Sequence, residues 1–151
     1  MNPLPLYRVS HWLYTHRLKR LARAIYRINV LLSGCSIPPQ VVMGEDCKFP
    51  DYGIGVVLNG NVRLGSRVTV LPNVVIGQNV RRLGEVSTVR ACIDDDVVIG
   101  TGAKIIASGD LVIGARSVVG ANAVVRKSVP ADCTAVGIPA RIIPHEGDIS
   151  G

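Results

Sequence analysis

The 151-residue sequence is poor in aromatic side chains: they make up 4% of it, with one Trp and one Phe, which excludes a core of packed rings. It has no long apolar run. Nothing approaches the roughly 20 residues of a membrane span, and Arg8, His11, His16 and Arg17 break the N-terminal stretch that could have served as a signal h-region. The expected location is cytoplasmic. There is no CxxC pair, and Cys35, Cys47, Cys92 and Cys133 lie 12, 45 and 41 residues apart with no histidine nearby, which argues for small buried thiols in a reducing compartment. Acids are missing from residues 1 to 34, which carry Arg8, Arg17, Lys19, Arg20, Arg23 and Arg27, whereas residues 35 to 151 balance 11 bases with 11 acids. The net charge of +6 therefore belongs to an N-terminal arm, and no nucleic-acid partner is expected.

What is abundant is Val, Ile and glycine, and these recur with a period. A large apolar residue followed four positions later by a small or β-branched one repeats every six residues: Ile37/Val41, Met43/Cys47, Phe49/Gly53, then after three extra residues Leu58/Val62, Leu64/Val68, Val70/Val74 and Ile76/Val80. An eleven-residue interruption around Arg81 to Ala91 precedes Ile93/Val97, Ile99/Ala103 and Ile105/Gly109. After two more inserted residues come Ile113/Ser117, Val119/Ala123, Val125/Val129 and Ala131/Ala135. The expected fold is an all-β solenoid, a parallel β-helix in which each unit is a short strand and a corner and three units make a triangular turn. Fourteen units then make between four and five turns. A doubly wound α/β sheet is excluded, because the spacing leaves no room for helices of ten residues between strands.

The arm is helical in pattern. Leu18, Leu21, Ile25, Ile28 and Leu32 share one face, Thr15 is the expected N-cap and Gly34 the expected C-terminal stop, and a shorter helical piece is expected around Leu6 to Tyr14. The expected units are residues 1 to 34 as this arm, 35 to 143 as the coil and 144 to 151 as a tail. The apolar face is expected to cover the open first turn of the coil. The other reading is weak membrane-surface contact through Trp12 and the basic stripe of Arg20, Arg23 and Arg27.

Three segments carry a family resemblance: Asp51 to Val57 (DYGIGVV), Ile99 to Ile105 (IGTGAKI) and Val136 to Ile143 (VGIPARII). From about Ile37 onward the chain resembles the serine acetyltransferases and their short relatives in surface-polysaccharide gene clusters, and the final VG-x-PA-[KR] signature is that of hexapeptide acyltransferases. The resemblance implies a left-handed coil, a homotrimer, and acetyl-CoA bound as co-substrate between neighbouring coils. It also implies O-acetylation of a small-molecule acceptor, a hydroxyl of serine or of a sugar.

In the family an Asp-His pair opens the first motif, and the His is the general base on the acceptor hydroxyl. Here the pair is Asp51 and Tyr52, the two candidate catalytic residues, and a second family His near the acceptor falls on Pro72. A Tyr of ordinary pKa near 10 is only about one part in a thousand ionised at neutral pH, so it is a poor base. A catalytically impaired trimeric scaffold that keeps the fold is therefore the alternative reading. On the cofactor side, Gly102, Ala103, Gly120 and Ala121 keep the surface low for a pantetheine arm, and Lys104 and Arg141 are candidate phosphate partners. The Arg82 to Arg90 loop is expected to help choose the acceptor. No metal is expected: Asp94, Asp95 and Asp96 alternate in direction along a strand, and all three histidines lie outside the repeats, which removes a three-histidine zinc site.

Overall fold

The computed structural model describes residues 1–78 and 90–145. Two helices, α1 (Leu4–Thr15) and α2 (Lys19–Ser33), precede thirteen short strands arranged in three sheets. The first sheet contains β1 (Val42–Met43), β3 (Val62–Leu64), β6 (Ala91–Ile93) and β9 (Leu111–Ile113). The second has β4 (Thr69–Val70), β7 (Val98–Ile99), β10 (Val118–Val119) and β12 (Cys133–Val136), and the third has β2 (Val57–Leu58), β5 (Val75–Gln78), β8 (Lys104–Ala107) and β11 (Val124–Val125). All of these pairings are parallel; β13 (Arg141–Pro144) folds back antiparallel on β12.

With the single bridges Ser36 to Val57, Lys48 to Thr69 and Ile113 to Val129 included, the chain visits the third, first and second sheets in the same order on every pass. Each pass stacks its β-branched side chains on the next. Val41, Val62, Val68, Val70, Val74, Ile76, Ile93, Val97, Ile99, Ile105, Ile113 and Val119 are all buried in one continuous core. The six-residue period was legible because each unit buries one large and one small side chain before the chain turns outward.

Two pairs are shifted from the expected register. Gly109 is exposed, and Ala107 and then Leu111 take the buried places after Ile105, because the two inserted residues loop out ahead of β9. Ala131 is also exposed; Val129, in register with Ile113, follows Val125 directly, and Cys133 and Ala135 fill the next inward positions. The last turn is thus shorter than the period predicts. Val80 lies outside the described residues.

The arm departs more from expectation. Gly34 does stop α2, with φ +67°. Thr15, however, ends α1 with its hydroxyl donating to the Trp12 carbonyl, and α2 begins after Leu18 with no side-chain cap. The face of α2 that is buried is the small, polar one: Ala22, Asn29 and Ser33. Ser10 Oγ donates to the Ala22 carbonyl at 3.0 Å and Asn29 Nδ2 to the Pro3 carbonyl at 2.9 Å, so the two helices are joined by hydrogen bonds that bulky side chains would block. Leu18, Leu21, Ile28 and Leu32 remain exposed. The first turn is covered by α1 instead: Tyr7 enters the core, and its hydroxyl donates to the Val41 carbonyl at 2.7 Å. Burial, reinforced by Cys47, pushes the Tyr7 phenol up to about 12 despite the opposing charge of Arg8. Burial likewise pushes the Cys35 thiol up to about 12, and the described cysteines are free and mostly buried.

Candidate active site

The edge where the second sheet passes to the third carries the candidate residues. Its first level is a turn over Pro50–Gly53 in which Asp51 (φ 51°) and Tyr52 (φ 62°) both adopt the left-handed conformation. The three residues added to the period here form this turn. A bulky residue with positive φ costs on the order of 1–3 kcal/mol and persists only where the surroundings fix it. The turn is fixed from both sides: Gly55 N donates to the Gly34 carbonyl at 3.0 Å, and Asn73 N donates to the Ile54 carbonyl at 2.9 Å. Asp51 and Tyr52 project into solvent, Tyr52 being 58% exposed.

The levels above are tied in the same way. Gly102 N donates to the Pro72 carbonyl at 2.9 Å, and Asn122 N to the Thr101 carbonyl at 2.9 Å. At the ordinary inter-strand spacing of about 4.8 Å, the Asp51 turn and Ala121 are then ~14 Å apart along one edge. This edge therefore gathers Asp51, Tyr52, Pro72, Gly102, Gly120 and Ala121, which the sequence spreads over 71 positions, whereas Ala103, expected on the same low surface, is an inward position of the repeat and is buried in the core. Glycine is required here. A Cβ on Gly100 would sit 2.6 Å from Ala121 N, and one on Gly102, at φ +74°, would strike Asn122 Oδ1. The result is an edge with little side-chain relief.

Lys104 is placed differently from a free cation. Its Nζ donates to the Gly102 carbonyl at 2.7 Å and the Asn73 carbonyl at 2.9 Å, stapling two levels of the edge and leaving one N–H for a ligand. Arg141 is exposed at the start of β13, opposite Val136. Of the Arg82 to Arg90 loop only Arg90 lies within the described residues; its N–H donates to Asp110 Oδ1 at 3.1 Å. A groove of about 550 Å³ lies elsewhere, along the first sheet beside Arg63, Cys92, Asp94 and Asp95, and holds none of the candidate residues.

Two of the acids at 94 to 96 are structural, Asp95 and Asp96. Arg67 makes a two-bonded pair with Asp96, at 2.6 and 2.7 Å, and Asp95 Oδ1 accepts from Ser66 N. Among the described residues no three His, Cys, Asp or Glu side chains are grouped as metal ligands. Sequence reasoning missed this pairing, since Arg67 and Asp96 are 29 positions apart across an interruption of the repeat.

The sequence and the fold are both similar to those of serine acetyltransferases. No known family profile matches the chain. It is 36% identical over 144 residues to a serine acetyltransferase of Synechococcus elongatus, covering 95% of this chain and 57% of that one. With the serine acetyltransferase of Bacillus pumilus it shares 35% identity over 141 residues, covering 93% of this chain and 62% of that one. A solved serine acetyltransferase in complex with CoA superposes with a TM-score of 0.82 at 29% identity, covering 93% of this chain and 55% of that one. The Neisseria gonorrhoeae serine acetyltransferase in complex with serine gives a TM-score of 0.81 at 29% identity, covering 92% and 54%. In sequence and in structure the chain is serine acetyltransferase-like. It spans 57% and 62% of the two curated relatives.

Proposed function

We propose that this protein is an acetyl-CoA-dependent O-acetyltransferase acting on the hydroxyl of serine. The observation that carries the reading is the single edge described above: a strained Asp51–Tyr52 turn below a low, glycine-lined track. Relatives of this fold hold CoA in one solved structure and serine in another, which favours serine over a sugar as acceptor.

In this reading the three sheets close as a left-handed parallel β-helix over residues 35 to 143, with the arm of 1 to 34 before it and the tail of 144 to 151 after it. Three copies form a homotrimer. A single chain offers only an open edge; a second copy laid against it makes the cleft.

The track of Gly102, Gly120 and Ala121, with Ala103 buried beneath it, receives the pantetheine arm. Arg141 offers its planar fork to a phosphate, and Lys104 contributes its remaining N–H. Acetyl-CoA supplies the activated acetyl group. The acceptor hydroxyl attacks the thioester carbonyl, its proton passes to a base on the protein, the carbon–sulfur bond breaks, and the CoA thiolate takes up that proton and leaves as the thiol. The Asp51 carboxylate is that base or orients the acceptor, and the Tyr52 hydroxyl donates a hydrogen bond at the same turn. Without the imidazole found at this place in the family, general-base assistance worth roughly 10² to 10⁴ in rate is reduced. Holding the reactants together still accelerates transfer.

The test is thiol release from acetyl-CoA with serine and with a panel of sugars. Serine-dependent release that falls at least tenfold in Asp51→Asn supports the reading. Calorimetric CoA binding with no release for any acceptor identifies a scaffold that has lost turnover, and release with a sugar but not serine moves the acceptor assignment.

A further inference from the structure

We propose that the outward face of α2 docks on an anionic phospholipid bilayer. This is independent of the acyl-transfer reading. With successive residues about 100° apart, Leu21, Ile25, Ile28, Leu31 and Leu32 fall in one arc of about 120°, and Arg20, Arg23 and Arg27 fill the adjoining arc of about 60°. Leu31 is 84% exposed, and Leu21, Ile28 and Leu32 are each about half exposed. The opposite side of the helix is already taken by α1 through Ala22, Asn29 and Ser33.

Charge selects the occupant. The first acid in the sequence is Glu45, so nothing within the arm neutralises its six cations, and among the described residues no ion pair reaches those of α2. Lys19 lies 5.8 Å from the centre of the Tyr14 ring, and Arg23 Nε reaches the Lys19 carbonyl at 3.4 Å; neither partner is an anion. Lys19, Arg20 and Arg23 also crowd the N-terminal end of α2, where the helix dipole disfavours positive charge. Such a violation of a local rule asks for compensation from outside. A second copy meeting this stripe through its own stripe, about a two-fold axis, would bring cations against cations. An anionic bilayer instead takes the leucines and isoleucines into its interface and the arginines onto its phosphates.

The experiment is co-sedimentation of the full chain with phosphatidylcholine vesicles, with and without phosphatidylglycerol, at low and high salt, alongside light scattering of the protein alone. Sedimentation is expected only with phosphatidylglycerol and should weaken with salt. The variant R20E/R23E/R27E should lose about 10²-fold in binding while its thermal midpoint is unchanged or raised, since acids suit that end of the helix. The variant I28S/L31S should lose at least tenfold and keep its assembly size. The proposal is overturned if the intact protein stays in the supernatant at low salt, or if R20E/R23E/R27E binds as the intact protein does. It is also overturned if I28S/L31S shrinks the assembly, which would make a second copy the occupant.

Discussion

Two edges of this molecule solve the same backbone problem with opposite chemistry. Where the first sheet passes to the second, each level turns on a residue with positive φ: Asp46, Arg67, Asp96, Arg116 and Asp132. Where the second passes to the third, the corresponding places hold Asp51 with Tyr52, then Asn73, Gly102 and Asn122. The first edge is closed upon itself. Arg67 is paired with Asp96 and Arg116 with Asp132, each through two bonds of 2.6 to 2.7 Å. Among the described residues the second edge has no such pairs, is lined by small residues, and leaves Asp51 and Tyr52 facing solvent. Paired charges spend on each other what they could offer a ligand, whereas the second edge keeps a low surface and a few unspent side chains.

The comparison can be broken most decisively at Tyr52. If the bare edge is an acyl-transfer site short of a base, Tyr52→His should raise serine-dependent thiol release by about 10². The added change Asp51→Asn should remove part of that gain, because a carboxylate next to the imidazole fixes its tautomer. A Tyr52→His protein no faster than the original, with CoA binding intact, would mean that the edge binds without catalysing.

A smaller effect, on stability and binding together, is expected at Gly100. A side chain there meets the backbone of the next level at 2.6 Å, and backbone cannot rotate out of the way. Gly100→Ala should cost about 1–3 kcal/mol, as overpacking does, and weaken CoA binding; thermal melts with and without CoA would show both. Gly114 is the matching position on the charged edge, where a Cβ would sit 2.7 Å from the Pro130 carbonyl carbon and nearer still to Ala131 N. Gly114→Ala should lower the melting midpoint similarly and leave CoA binding unchanged, which sharpens the division of labour between the edges.

The smallest effect belongs to the charged pairs themselves. The hydrogen bonds from Arg67 and Arg116 hold the Asp96 and Asp132 carboxyls below their ordinary value of 3.8. A carboxylate with a lowered folded pKa stabilises the fold above its unfolded value, and that contribution is lost as pH falls through the folded one. Melting midpoints of the native chain and of R67A/R116A should therefore differ slightly near neutral pH, less in high salt. The two curves should converge below about pH 4. A difference that persisted in strong acid would assign the arginines a packing role instead.

Much of this was legible in the sequence because a six-residue period buries a large and a small side chain in each unit, whatever the neighbours are. The inward residues, the three-residue enlargement at Asp51 and the stop at Gly34 all follow from local pattern. So does the edge itself, since Gly102 and Asn122 hold equivalent places in their units, three residues after Ile99 and Val119. The pairings of Arg67 with Asp96 and of Arg116 with Asp132 were not legible. They span 29 and 16 positions, and those separations depend on how insertions and shortenings are absorbed at the corners. The final register failed for the same reason: the step from Val125 to Val129 is shorter than the period, and only pairing with Ile113 fixes it.

The arm marks the boundary most clearly. Its sequence determined that a helix runs up to Gly34 and which side chains share a face, because 3.6 residues per turn fixes direction around an axis; its start at Lys19, and not after Thr15, came from the fold. It did not determine which face finds a partner. That was decided when Ser10 and Asn29 made hydrogen bonds between the helices and Tyr7 closed the first turn of the coil. Burial is a property of two surfaces, and α2 alone specifies only one of them.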